Sequence, residues 1–298
     1  MKKVVGLGAC VLDTLIECDK YPIEDKKQKA QSIFLAGGGP VANALVVMGK
    51  LGVKTEVIGA FASDNSADYI LDDFNKYGVE TKNTVRVKDT TSFVSYIVLS
   101  QETKSRTCVF DRGTVPDDIK NVNLNAIDDA FVLHLDGNYL KSAIASAEYA
   151  KSKGVKVSLD AGGLYDNIEK LLPLVDILIP SAEFAIGLTG EKDIPTAMNV
   201  LYSKYKPEVL VVTDGSNGGY YYQNGEAIKY KSYKVEAVDT NGAGDTFHGA
   251  FVAAYCEGKS VAECCDFASA VAAYKCKNKG ARTYQLNKQI IDDFISEL

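Results

Sequence analysis

One ten-residue stretch combines two glycines, a carboxylate and the start of a helix: VDTNGAGDTF, residues 238–247. Gly242 and Gly244 allow a tight turn and let backbone N–H groups approach a ligand without an intervening Cβ. The apolar run 247–255 predicts a helix, so the turn lies at a helix N-terminus, which favours an anion. Asp245 stands beside that anion site. A carboxylate is costly there unless it has a chemical task, and the economical task is to deprotonate a hydroxyl that attacks a phosphoryl group.

The short pattern Gly-x-Gly-Asp is equally compatible with a plain turn that carries an Asp near a helix N-cap. The longer pattern, Asp-Thr-x-Gly-Ala-Gly-Asp-x-Phe followed by a helix of small residues, resembles the C-terminal signature of the ribokinase family, also called the PfkB carbohydrate kinases. The resemblance implies that Asp245 is the catalytic base. It also implies that the backbone N–H groups of Gly242, Ala243, Gly244 and Asp245 form an anion hole.

A second stretch, near the N-terminus, resembles the other signature of this family. Gly38, Gly39 and Asn43 belong to a Gly-Gly-x-x-Ala-Asn pattern. The resemblance implies that the backbone of the two glycines and the Asn43 side chain bind a sugar, together with Asp13 and Asp245. A flexible glycine turn is the alternative for this segment. Pro40-Val41 stands where ribokinase has Lys-Gly, which weighs against ribose as the substrate.

The expected nucleotide site lies in the C-terminal half of the chain. Thr213, Gly215 and Gly218 match the family's Thr-x-Gly-x-x-Gly segment, where relatives place nucleotide phosphate and ribose. An alanine-rich helix from 261 to 276 is predicted next, and relatives use this helix and the following loop to wall the adenine pocket. Asn278 in that loop is therefore a candidate nucleotide contact.

The metal site is where the sequence departs from the family. The family's Asn-x-x-Glu motif organises magnesium, but Ser181 and Phe184 stand at its two positions here. Glu183 lies one residue early and is the candidate metal ligand. The resemblance implies ATP and Mg²⁺ as cofactors, with a monovalent cation such as K⁺ as a further candidate.

From residue 131 onward, strand-like and helix-like segments alternate regularly. The predicted strands are 131–135, 155–159, 176–179 and 209–213, and the predicted helices are 140–153, 164–172, 182–188 and 195–204. Strands separated by helices predict βαβ units and a mostly parallel sheet. Ligands of such sheets bind beyond the carboxyl ends of the strands, where Asp136, Asp160 and Asp214 fall, although Asp residues also cap turns. We expect one α/β domain over residues 1–298, ribokinase-like and doubly wound, with helices flanking the sheet.

Four strand-like runs do not alternate with helices: 14–20, 28–35, 92–100 and 105–111. They predict a separate four-stranded β lid formed by about residues 14–35 and 88–112. In the ribokinase family such a sheet covers the sugar site and often makes the dimer contact, so the resemblance implies a homodimer. Arg106 on this lid is a candidate substrate ligand, and a solvated strand arginine is the alternative. The surrounding Ser-Arg-Thr and Asp-Arg-x-x-x-Pro-Asp segments look closest to ketohexokinase-like members.

Composition and charge argue against several kinds of partner, location and metal site. A net charge of −6 without a Lys/Arg block makes nucleic acid an unexpected partner. No apolar run is long enough for a membrane span and no signal peptide is visible, so we expect a cytoplasmic protein. Seven cysteines without spaced pairs indicate reduced thiols, and two histidines make a zinc site improbable.

These features favour an ATP-dependent kinase that transfers the γ-phosphoryl group to a hydroxyl of a small carbohydrate, with a ketohexose-like substrate preferred. A nucleoside or vitamin kinase of the same superfamily is the first alternative. A catalytically silent sugar-binding relative is the second. A dinucleotide-dependent dehydrogenase is the weakest, because Gly6 and Gly8 lack the third glycine of that fingerprint.

Overall fold

A large sheet and a small sheet organise the chain in this computed structural model, which describes residues 2–103 and 105–297. Within those residues the strands are β1 (Lys3–Leu7), β2 (Val11–Cys18), β3 (Ser32–Gly38), β4 (Lys54–Val57), β5 (Gly59–Ala62), β6 (Thr84–Val87), β7 (Val94–Ser100), β8 (Arg106–Asp111), β9 (Val132–Leu135), β10 (Lys156–Ala161), β11 (Ile177–Pro180), β12 (Val209–Thr213), β13 (Gly219–Gln223) and β14 (Glu226–Tyr230). The helices are α1 (Pro40–Lys50), α2 (Asn65–Lys76), α3 (Leu140–Ser152), α4 (Ala182–Thr189), α5 (Ile194–Tyr205), α6 (Ala243–Cys256), α7 (Val261–Cys276) and α8 (Lys288–Ser296).

The large sheet has the strand order β14-β13-β12-β11-β10-β9-β1-β4. Six neighbouring strands pair in parallel: β12, β11, β10, β9, β1 and β4. The strands β13 and β14 extend the sheet as an antiparallel hairpin. The parallel strands are almost continuously apolar and buried because helices cover both faces of the sheet. One core cluster joins the sheet to α1, α2, α6 and α7, and another joins it to α3, α4 and α5. The predicted α/β class, a mostly parallel sheet flanked by helices, is confirmed.

The small sheet has the order β3-β2-β7-β8, as expected for a separate four-stranded unit. Its register places Asp13 opposite Ser95 and Ser95 opposite Phe110, so these three side chains share one face of the small sheet. The strands begin at Val11 and Ser32, whereas the predicted runs began at residues 14 and 28. Residue 104 of the predicted segment 88–112 lies outside the described residues. That this sheet works as a lid stays a prediction.

Three details of the predicted α/β pattern were wrong. Residues 164–172, predicted as a helix, form an irregular segment with short 3₁₀ turns at Ile168–Lys170 and Leu172–Leu174. Residue 167 has a positive φ of 62°, which lies outside the right-handed α region, so a continuous α-helix does not run through this segment. Residues 55–61, whose sequence also predicts one continuous strand, instead form parts of two strands that are separated near Gly59, whose φ is 119°, and the second strand pairs with β6. The hairpin β13–β14 was not predicted.

Candidate active site

The glycine turn lies where the sequence placed it, directly before α6. Gly242 is the N-cap residue with φ +76°, and a Cβ on it would lie 2.7 Å from the Cβ of Ala281. Within the described residues no side chain caps this helix. The N–H of Ala243 donates to the Thr240 carbonyl at 3.2 Å, whereas Gly244 and Asp245 lie in the first turn, where backbone donors have no intrahelical acceptor. A Cβ on Gly244 would find no atom within 4 Å.

Asp245 is half-buried, and it links the C-terminal signature to the N-terminal signature. The Asn43 amide donates a hydrogen bond of 2.6 Å to Oδ2 of Asp245, although 202 residues separate them in the chain. Burial raises the pKa of Asp245, the nearby Asp160 carboxylate raises it further, and the Asn43 hydrogen bond opposes both. A raised pKa suits a group that must take up a proton during a reaction.

The Asp245 carboxylate faces a polar cavity of about 310 Å³ at the carboxyl ends of the parallel strands. The cavity is lined by Pro40, Asp136, Asp160, Gly162, Gly163, Tyr165, Ser181, Thr213, Gly244, Asp245 and His248. Asp136 directly follows β9, and Asp160 is the next-to-last residue of β10. Both lie at the carboxyl ends of strands, as predicted from the alternation of strands and helices. This acidic cleft brings three carboxylates to one place.

His248 pairs with Asp160 at the floor of the acidic cleft. Its Nε2 lies 3.1 Å from Oδ1 of Asp160, and both side chains are buried. Burial favours the protonated carboxyl, but the attraction and hydrogen bond of His248 outweigh it and hold the pKa of Asp160 below its ordinary value. His248 follows Asp245 by three residues, so both side chains lie on one face of α6. The sequence analysis did not single out this histidine.

The other expected sugar-binding residues lie on the small sheet and at the start of α1. Ser95 of the small sheet donates a hydrogen bond of 2.6 Å to Asp13, whose pKa is raised by burial. Gly38 packs so closely on this carboxylate that a Cβ there would lie 2.0 Å from its Oδ2. The adjoining Gly39 is the N-cap of α1 with φ +99°, and it starts the helix that carries Asn43. Asp13 and Gly38 are therefore in contact with each other, and Asn43 is in contact with Asp245.

Asp136 is a buried carboxylate that holds the backbone between the two sheets. It accepts the N–H groups of Ala9 at 2.8 Å, Val41 at 3.3 Å and Asn138 at 3.0 Å. Burial nevertheless raises the pKa of Asp136 to about 6. Asp136 is thus both a structural anchor for the start of α1 and a wall of the acidic cleft.

A second, mostly apolar cavity of about 290 Å³ adjoins the acidic cleft. It is lined by Thr213, Gly215, Ser216, Gly218, Tyr230, Ser232, Tyr233, Lys234, Val235, Ala237, Thr240, Ala243, Gly244, Phe247, Ser269, Ala272, Ala273 and Cys276. Thr213 and Gly244 line both cavities, so a single ligand can extend from one into the other. An apolar slot that opens beside a helix N-terminus suits a heterocyclic base with a phosphate chain.

Sequence reasoning found only part of this second cavity. Thr213, Gly215 and Gly218 line it as predicted, but Asn278 does not, because its amide donates to the Tyr274 carbonyl at 2.8 Å. The missed wall comes from β14 and the chain after it, including Tyr230 and Tyr233. The signal that could have found it is Asn224-Gly225 between two aromatic or β-branched runs, which is typical of a hairpin.

Two further candidates are not among the residues that line the acidic cleft. Arg106 donates a hydrogen bond to Oδ1 of Asn241, so it joins the small sheet to the glycine turn. Glu183 is exposed on the first turn of α4 and is not among the residues that line the acidic cleft. The carboxylates that do line the cleft are those of Asp136, Asp160 and Asp245.

Comparison with known proteins agrees with this geometry. The family model described as pfkB family carbohydrate kinase matches residues 1–288. The chain belongs to the pfkB carbohydrate kinase family. It is 27% identical to ribokinase of Staphylococcus aureus over 94% of this chain and 95% of that protein. It is 24% identical to mouse ketohexokinase over 94% and 97% of the two chains. The structure of Arabidopsis thaliana ribokinase with ribose and ATP superposes with a TM-score of 0.84 at 26% identity, covering 99% of this chain and 98% of that one.

A magnesium ion fits the acidic cleft of this pfkB-family chain. Mg²⁺ keeps several waters and usually takes one or two carboxylates together with substrate phosphates. Asp160 offers such a carboxylate in the cavity that Gly244 and Thr213 share with the apolar slot. No group of three or more His, Cys, Asp or Glu side chains in the described part of the chain is arranged to hold a metal alone.

The described residues contain no helix that is both long and apolar enough to cross a membrane.

Proposed function

We propose that this pfkB-family protein is an ATP-dependent kinase that transfers the γ-phosphoryl group to a hydroxyl of a small sugar. The observation that carries the proposal is the position of Asp245. Its carboxylate bonds Asn43 on the sugar side and faces the cavity that continues into the apolar slot. A base between an alcohol site and a nucleotide site is the arrangement that phosphoryl transfer to a hydroxyl requires.

The proposed mechanism uses residues already in place. Asp13, Asn43 and the backbone at Gly38 and Gly39 hold the sugar and orient one hydroxyl. Oδ2 of Asp245 is engaged by Asn43, so Oδ1 is the oxygen left to take the hydroxyl proton. The first-turn N–H groups of α6 stabilise charge on the transferred phosphoryl group.

The other end of the reactant is the nucleotide. Thr213, Gly215 and Gly218 border the phosphates and ribose, and the adenine occupies the apolar slot between Phe247 and Ala272. Mg²⁺, when bound, shields the charge of the β- and γ-phosphate oxygens. Asp160 is the residue proposed to hold it, in place of Glu183.

Two observations bear on the class of sugar substrate. Ribokinase and ketohexokinase both match along nearly the whole chain, at 27% and 24% identity, so neither a pentose nor a ketohexose is singled out. Pro40-Val41 still separates this sugar loop from the Lys-Gly of ribokinase, and ketohexoses therefore remain our first candidates.

A nucleoside is the second candidate substrate, and an aromatic pair favours it. Phe110 is 57% exposed on the small-sheet face that also carries Ser95, and its ring lies 5.8 Å from that of Phe93. An exposed aromatic ring beside the sugar residues could stack on a base.

The outer face of the small sheet supports a proposed homodimer. Ile33, Leu35, Tyr96 and Val109 are between 46% and 65% exposed, and the register places the last three in one row. A contiguous apolar patch of this kind marks an interaction surface. A second copy of the chain would cover it.

The decisive test is ADP release, coupled to a reporter enzyme, across ketoses, aldoses, acidic sugars and nucleosides, with and without Mg²⁺. We expect turnover with at least one sugar and only with Mg²⁺. Turnover with nucleosides alone would replace the sugar by the second candidate. No turnover across the panel, with tight sugar binding by calorimetry, would identify a silent binding protein.

A further inference from the structure

A fully buried lysine lies directly behind the glycine turn. Lys275, in the last turn of α7, has no exposed surface. Its ammonium donates to the main-chain carbonyl of Asp239 at 2.6 Å and lies 3.7 Å from the Asp239 carboxylate. Burial lowers the pKa of Lys275, and the Arg106 guanidinium opposes its charge as well, whereas Asp239 and Cys276 favour it. A charge in such a place is expensive unless it has a function.

Asp239 is the fixed point from which the glycine turn starts. Its carboxylate accepts the N–H of Asn241 at 2.8 Å and the N–H of Gly280 at 2.8 Å. The N–H groups of Val238 and Asp239 donate to the Cys276 carbonyl at 2.8 and 3.1 Å. The ammonium of Lys275 therefore lies against Asp239, which together with Val238 ties the turn to the C-terminal end of α7.

The oxygen atoms near the Lys275 ammonium are of the kinds that bind a small monovalent cation. K⁺ is bound in proteins by carbonyl oxygens, and carboxylates add to its attraction. Asp239 offers both kinds of oxygen, immediately before the residues that start α6. The Lys275 ammonium already contacts the carbonyl at hydrogen-bond distance, so a K⁺ ion does not fit on this oxygen.

We propose that Lys275 is a built-in monovalent cation that positions the glycine turn, so that phosphoryl transfer is independent of K⁺. Lys275 acts through Asp239 and touches no reacting atom, which makes it a positioning residue. The proposal rests on the proposed kinase function for its activity readout. It therefore predicts that K⁺ is not a cofactor of this protein, because the Lys275 ammonium occupies the position in which a K⁺ ion would have to bind.

The first experiment uses the wild-type protein and needs no substitution. Turnover is measured in K⁺, Na⁺ and tetramethylammonium salts of equal ionic strength. Binding of a non-hydrolysable ATP analogue is measured by calorimetry in the same three salts. We expect the same kcat and the same Kd in all three. Strong activation by K⁺, or much tighter nucleotide binding in K⁺, would overturn the proposal.

The second experiment removes the charge with Lys275→Met, which keeps most of the side-chain volume. Misplacing the turn should lower kcat by about 10- to 100-fold while the KM of the sugar stays unchanged. Ammonium or K⁺, but not tetramethylammonium, should restore part of the lost kcat and nucleotide affinity. Lys277→Met is the matched control: it removes an exposed lysine two residues away and should change nothing.

Each remaining outcome decides the question. A folded Lys275→Met protein with wild-type kcat, or one that no small cation rescues, contradicts the positioning role. If Lys275→Met and Lys275→Gln both fail to fold, Lys275 is a structural residue and the proposal is wrong. If the wild type turns over no substrate, the kinase proposal fails, and salt-dependent nucleotide binding by wild type and variant still tests Lys275 by itself.

Discussion

Gly244→Ala separates the requirements of folding from those of chemistry at the glycine turn. Gly244 has no positive φ, and an added Cβ would meet no protein atom within 4 Å. The substitution should therefore raise the free energy of unfolding by about 0.4–1 kcal/mol, because alanine restricts the unfolded chain and is compatible with the helix. In a chain of this size that corresponds to a rise in Tm of roughly 1–3 °C.

The same methyl group should damage catalysis. Gly244 lines both the apolar slot and the acidic cleft, so its free space is where the phosphate chain must pass. The variant keeps its backbone N–H, but the methyl group would hold the phosphate away from the first-turn donors. Loss of one anion-hole interaction typically costs about 10²–10³ in kcat, which is about 2.7–4 kcal/mol of transition-state stabilisation. We expect kcat/KM for ATP to fall by about that factor, with the KM of the sugar unchanged, in the coupled ADP assay.

Gly242→Ala is the matched control. Its left-handed φ of +76° and the 2.7 Å approach to Ala281 mean that alanine is strained there. That variant should lose at least about 1–2 kcal/mol of unfolding free energy. The reasoning is refuted if Gly244→Ala keeps wild-type activity, or if its Tm falls as that of Gly242→Ala does.

Four further outcomes follow from the site. Asp245→Asn should lower kcat by about 10²–10⁴ while calorimetry shows unchanged ATP binding, since the Asn43 hydrogen bond can be kept, and near-wild-type turnover would remove Asp245 from the role of base. The burial-raised pKa of Asp245 means that the base is protonated in acid, so kcat/KM should fall as the pH drops through a pKa above that of an ordinary Asp. A profile flat down to the ordinary Asp range would contradict this. Removal of Mg²⁺ with EDTA should abolish turnover reversibly, and activity that persists in EDTA would exclude the proposed metal. Val109→Lys should convert a dimer to a monomer in light scattering, whereas the exposed Val200→Lys on α5 should not, and a dimer that survives Val109→Lys moves the interface elsewhere.

The parts of the site that sequence reasoning found are those fixed by local backbone chemistry. The turn before α6 needs Gly242 for its left-handed φ, and the loop before α1 needs Gly38 for its contact with Asp13, so both leave a pattern of residue types. Strand ends are equally predictable, because alternation with helices sets the direction of each strand. Asp136 and Asp160 follow from that rule alone.

The parts that were missed depend on long-range packing. The His248–Asp160 pair joins a helix to a distant strand, and Lys275 reads in sequence as an ordinary charged residue near a helix end. Arg106 was expected to face the substrate, but its contact with Asn241 depends on how the small sheet sits on the large one. None of these contacts has a local period or spacing that would reveal it.

The charge balance of the acidic cleft indicates that a phosphate chain would bind there together with a metal ion. Asp136, Asp160 and Asp245 line the cavity, and His248 is the only basic side chain among its described lining residues. His248 is already paired with Asp160. The turn of α6 supplies only the partial positive charge of backbone N–H groups. A triphosphate that entered this cleft would need additional positive charge, and a divalent ion held by Asp160, as proposed above, would supply it. Lys275 cannot take that part, because its ammonium is buried behind the turn against Asp239.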